Sequence, residues 1–161
     1  MPLQILDEEN LVEKVPKNFK SVFIGEETFM LAGGFDSKVG KTSKKAFTFS
    51  RGRLQEIIQM YKSRQFFSLV FDHYSQMLYA IGGHNMKEGG LDHVERYSLE
   101  RKEWEVVASL NNRRINCGAC TIGKNHIFVF GGRNEGDTFY DTVERLNIEL
   151  NLWNLLKVQL P

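Results

Sequence analysis

The chain of 161 residues is 42% apolar and 25% charged, and its 21 basic and 20 acidic side chains leave a net charge of +1. That is the length and composition of one globular domain with a sizeable core. The even balance of charge argues against a nucleic-acid-binding or polybasic membrane-surface protein, and no apolar run reaches the roughly 18 residues that a membrane span needs.

Residues 1–17 are polar and acidic (Asp7, Glu8, Glu9, Glu13) and read as a lead-in, or as the remnant of a preceding strand at residues 4–6 or 11–12. They lack the basic and apolar regions of a signal peptide. With two cysteines and no disulfide framework, a cytoplasmic, reduced protein is expected. Short strands begin after Lys17. Residues 21–24 form an apolar run, residues 25–27 a turn, and residues 28–32 a second strand ended by Gly33 and Gly34. A lysine-rich loop (36–45) leads to a strand at 46–49, and a turn at 50–52 leads to a returning segment at 54–60. Leu54, Ile57, Ile58 and Tyr61 have helical spacing, but the later counterparts of this segment are strand-like, so a strand is expected.

The second unit has strands at 65–71, 77–81, 94–99 and 104–108, with Gly82 and Gly83 closing the second strand. The third has strands at 117–122, 126–130, 143–148 and 153–158, with Gly131 and Gly132 in the same place. Successive double glycines stand 49 residues apart, as do Asp92-His93-Val94-Glu95-Arg96 and Asp141-Thr142-Val143-Glu144-Arg145. Tyr97 and Trp104 are seven residues apart, as are Leu146 and Trp153, and Phe47 and Leu54. A period of this kind marks an array of one supersecondary unit, here about 18–60, 64–110 and 114–161.

Each repeated residue has a physical reason. A strand stopped by two glycines fits the buried middle of a stack, where the chain needs positive φ and close backbone approach. Tyr97 and Trp104, on adjacent strands, bury large areas between stacked sheets. Asp92 and Asp141 precede strands, where a carboxylate bonds loop amides. Such sheets cannot bury their faces alone and must stack on copies of themselves.

Catalytic chemistry is not signalled. Cys117 and Cys120 have Cys-x-x-Cys spacing, but further zinc ligands at comparable spacing are missing, and strand positions three apart face opposite ways. Buried structural thiols are expected. His73, His84, His93 and His126 read as surface histidines, and the glycine pairs lack the spacing of a phosphate loop. No catalytic residue, metal or cofactor is expected.

The double glycine, Tyr97 and Trp104, repeated as Gly131, Gly132, Leu146 and Trp153, resembles the Kelch repeat. Unit one reads as a degenerate copy, with Phe47 for the tyrosine and Leu54 for the tryptophan. The resemblance implies an all-β chain of three four-stranded antiparallel blades of a Kelch-type β-propeller. Complete propellers have about four to eight blades, so three imply an incomplete ring, either a fragment or one closed by self-association or by another chain. The implied function is binding of a protein or peptide, acidic in character, through propeller loops, with no nucleic acid and no membrane. The implied contacts are residues after the double glycine, His84, Asn85, Arg133 and Asn134, and those opening the blades, Arg64, Arg114 and Asn116. Arginine there would pair bidentately with carboxylates. The resemblance also admits a structural, actin-associated scaffold, and a propeller enzyme akin to galactose oxidase, whose Cys-linked tyrosine and histidine ligands have no counterpart placed here.

Overall fold

A computed structural model of the chain describes residues 15–160. The remnant-strand expectations at residues 4–6 and 11–12 lie outside them. The described residues form sixteen strands and no helix. The first blade is an antiparallel sheet of β1 (Lys20–Gly25), β2 (Thr28–Ala32), β5 (Ala46–Ser50) and β6 (Arg53–Ile57), in that order. A small ribbon, β3 (Phe35–Asp36) and β4 (Lys41–Thr42), projects from its double-glycine end. The second blade runs β7 (Ser68–Asp72), β8 (Met77–Ile81), β11 (Val94–Ser98), β12 (Glu103–Val107), with the ribbon β9 (His84–Asn85) and β10 (Gly89–Gly90). The third runs β13 (Gly118–Ile122), β14 (His126–Phe130), β15 (Thr142–Asn147), β16 (Leu152–Gln159). The first strands lie side by side, β7 between β1 and β13. The segment with helical spacing is strand β6 up to Ile57, because cross-strand pairing with β5 overrides local periodicity.

Two cores fill the gaps between blades. Met30, Ala32, Phe71, Leu78, Ala80, Tyr97 and Trp104 belong to the core between blades one and two. Tyr79, Ile81, Val94, Ile127, Val129, Leu146 and Trp153 belong to that between blades two and three. Strand β8 alternates its side chains between the two cores, so Leu78 to Ile81 are all buried. Tyr97 and Trp104 are direct cross-strand partners, their ring centroids 5.2 Å apart.

The glycine pairs answer a close approach of backbone. Gly33 and Gly82 hold φ of 65° and 61°, and a Cβ there would stand 2.6 and 2.7 Å from the carbonyl oxygens of Arg64 and Arg114, which open the next blade. The following glycines, Gly34 and Gly83, donate N–H to those same carbonyls at 2.8 Å. No L side chain fits such a site without displacing the next blade.

Register corrects the reading of blade one. Phe49, not Phe47, faces Leu54 across the hairpin and takes the place of Tyr97. The turn between β5 and β6 is two residues, Arg51 and Gly52, where the later blades use four. The preceding connection is one residue longer than in blade two, from Ala32 to Ala46 against Ile81 to Val94. The spacing of seven from Phe47 to Leu54 is therefore a coincidence: the turn is two residues shorter, and a second phenylalanine stands two residues before Phe49. Phe47 stands where blade two has Glu95.

Candidate functional site

The arginines that open blades two and three are the largest fully buried side chains. Arg64 donates to Glu95 at 2.7 Å and to the carbonyls of Ala80, Gly82 and His93. Arg114 donates to Glu144 at 2.9 Å, to the Gly131 and Thr142 carbonyls and to the Thr142 hydroxyl, and stacks over Tyr140. Both pairs are 0% exposed. Arg64 and Arg114 are therefore buried out of reach of a partner, contrary to the role that the resemblance implies for them.

Their carboxylates do a second job. Glu95 accepts the N–H groups of Tyr61 and Lys62, and Glu144 those of Asn111 and Asn112, in the segments arriving from the preceding blades. Burial pushes the Glu95 carboxyl up, but His93, Arg64 and the two amides outweigh it and hold its pKa below the ordinary glutamate value. Trp104 Nε1–H donates to Ile58 O and Trp153 Nε1–H to Ala108 O, both at 2.9 Å. Glutamate and tryptophan thus tie blades two and three each to the blade before it. Glu95 and Glu144 belong to the Val-Glu-Arg that recurs at a period of 49 residues, which is the sequence signal of their shared role. The main-chain carbonyls of Asp92 and Asp141 take the bonds at that corner, from Leu110 and Leu160 N–H.

At the double-glycine end, each blade carries a loop built on one device. Asp36 accepts N–H from Lys38 and Val39, Asn85 from Lys87 and Glu88, and Asn134 from Thr138. These side-chain oxygens fix the turns, and Asn85 is buried, so Asn85 shapes its loop from beneath. Asn116 is exposed, holds φ of 56°, and donates its N–H to Phe66 O of the neighbouring blade. Arg133 bonds Asp137 at 2.6 Å and the Asn134 carbonyl. His84 Nε2 lies 3.3 Å from Glu135, which also accepts the Gly90 N–H, so loops two and three are linked.

Above this frame the loops project Val39, Met86 and Phe139, which are 63%, 62% and 79% exposed. Sequence reading passed them over because each is a single apolar residue in a polar loop. Between loops one and two lies a cavity of about 360 Å³ lined by Thr42, Lys44, Tyr61, Ser63, Asn85, Lys87 and Glu88. A larger cleft of about 610 Å³ at blade one is lined by Pro16, Lys17, Phe35, Lys45, Phe47 and Leu54, among others. The two cysteines part company: Cys117 is buried, where desolvation raises its thiol pKa, and Cys120 is exposed, contrary to the expected burial of both. His84 and His93 are mostly buried, with side chains 24% and 17% exposed, and are not the surface histidines expected.

Comparison with known proteins agrees with this geometry. The Kelch motif profile matches residues 74–111 and 113–157. A RING finger domain and kelch repeat-containing protein of Dictyostelium discoideum is 26% identical over 137 residues, covering 84% of this chain and 14% of that protein. Human Kelch domain-containing protein 10 is 28% identical over 55% of this chain and 22% of its own length. Human Kelch-like protein 23 is 30% identical over 52% of this chain and 14% of its own length. The chain thus spans no more than about a quarter of these relatives. With the motif matched over more than half of its residues, and with one four-stranded blade per repeat, the chain belongs to the Kelch motif family.

Proposed function

We propose that this chain binds a protein partner through the loops at the double-glycine end of its blades. Kelch repeat proteins are generally protein-interaction modules. The observation that carries the finer reading is the row of apolar tips Val39, Met86 and Phe139, one per blade, each on a loop whose Asp or Asn side chain accepts main-chain N–H groups of the same loop. Exposed apolar side chains on rigid loops are suited to anchor a partner, because little is lost in ordering them. The lysines at positions 41, 44 and 87 are exposed around tips one and two, which favours a partner segment carrying carboxylates beside its apolar anchors. Arg133 and His84 serve that surface as positioned rim groups, and the buried Arg64, Arg114 and Asn85 support it. The test is to isolate the partner by affinity purification and titrate it calorimetrically. Phe139→Asp and Met86→Asp should each weaken binding at least about tenfold, on the order of 1.4 kcal/mol, and Arg133→Ala less. Unchanged affinity for both aspartate variants would remove the loop surface from consideration.

A further inference from the structure

Two blade faces in the described chain have no blade against them, and they are built differently. In blades two and three the side facing the preceding blade carries a tryptophan, a glutamate and that glutamate's arginine, tied to the segment that arrives from that blade. Register places Leu54, Phe47 and Pro16 at these three positions of blade one. Each replacement removes a polar group that the later blades use in this contact, and replacing both members of a buried ion pair by apolar side chains is a tolerated solution. What remains is an aromatic face, in which Phe23 and Phe29 pack at 5.3 Å and are 49% and 41% exposed.

The outer face of blade three keeps the features that receive a blade. Gly131 holds φ of 57°, as Gly33 and Gly82 do, but the site where their neighbours' carbonyls sit is open, with Tyr140 O at 3.3 Å and Leu160 Cδ1 at 3.7 Å. Phe128 and Phe130 stack at 6.3 Å on this face, near Ile122, which is 52% exposed. In blade two Arg96 on the equivalent face bonds Glu105 at 2.6 Å. In blade three Asn154 stands in that glutamate's place opposite Arg145, whose buried Nε has no partner. Blade one, for its part, carries the acidic Glu56 beside Phe47 on its open face.

We propose that two copies of this chain close on each other, the blade-three face of each packing on the blade-one face of its partner. Both halves of the contact are variants of one the chain already makes twice internally. The acidic residue on one face and the unpaired guanidinium on the other are complementary in sign. Pro16 keeps the main-chain carbonyl that the second glycine of the preceding blade's pair bonds, so the partner's Pro16 supplies the acceptor for the Gly132 N–H, the Gly131 N–H being bonded to Thr142 O. A two-fold axis relates the two contacts, so together they form one isologous interface that closes after two copies. The resulting ring doubles the three blades of one chain, within the range of about four to eight that propellers adopt.

Light scattering on the chromatographed chain should give twice the mass of one chain. Phe23→Glu and Ile122→Glu each place a charge on a half-exposed position of one open face, and the circular dichroism of each should stay that of the wild type. Each alone should weaken dimerisation at least about tenfold. Mixed, they should form a one-to-one pair, because the blade-three face of the first and the blade-one face of the second are intact. A monomeric wild-type chain, head-to-tail polymers, or a mixture that stays monomeric while both variants are folded would each overturn the proposal.

Discussion

At the scale of single residues, glycine separates two causes that usually act together. Gly82 has φ of 61° and Gly123 has φ of 63°, so alanine at either position enters the left-handed region at a cost of about 1–2 kcal/mol. They differ in surroundings. A Cβ at Gly82 meets the Arg114 carbonyl at 2.7 Å, whereas one at Gly123 meets nothing within 4 Å. Gly82→Ala should therefore lose about 1–3 kcal/mol more than Gly123→Ala, the cost of pushing the next blade away. Urea unfolding of the two variants checks this, and equal losses would mean that φ alone explains the glycine. The reason for the double glycine was legible in the sequence, since a strand ending in the same two glycines every 49 residues has few physical explanations. The role of Arg64 was not legible. Its carboxylate partner lies 31 residues further on, on the third strand of the same blade, and only the fold brings the two together.

At the scale of the element, a blade is held to its predecessor by two small ties and one apolar face. The carboxylate of Glu95 is shared between Arg64 and two amides of the arriving segment. Arg64→Met leaves that buried charge with the amides and His93 alone, and should cost about 3–5 kcal/mol. Adding Glu95→Leu removes the stranded charge but leaves the N–H groups of Tyr61 and Lys62 without an acceptor, at about 1–3 kcal/mol each. The double variant should then be less stable than wild type yet well short of the sum of the two single losses, a strong coupling measurable by a denaturant cycle. Full additivity would mean that the pair does not act as a unit. Blade one presents the same double replacement, as Pro16 and Phe47. Sequence spacing hid this, because the hairpin turn is two residues shorter and a second phenylalanine two residues before Phe49 restores the interval of seven.

At the scale of the whole molecule, the array behaves as a short one-dimensional stack, in which each blade's stability is its own plus that of its contacts with neighbours. Blade two has a neighbour on each side, and its strand β8 is buried from Leu78 to Ile81. Blades one and three each have one described neighbour; β14 alternates between buried and partly exposed positions, and β2 leaves Thr28 and Phe29 partly or fully exposed while Met30 to Ala32 are buried. Local opening follows such differences, because an outer blade parts from one core and the middle blade from two. Amide hydrogen exchange on dilute protein should therefore be slowest in β8 and β11 and faster in β2 and β14, even though all four are interior strands of their sheets with complete ladders. Pairing of chains changes the outer blades and not the middle one. As concentration rises, protection should increase in β2 and β14 and stay constant in β8. Equal exchange in all three sheets at every concentration would mean that the blades unfold as one cooperative block and that neighbour contacts do not set their order.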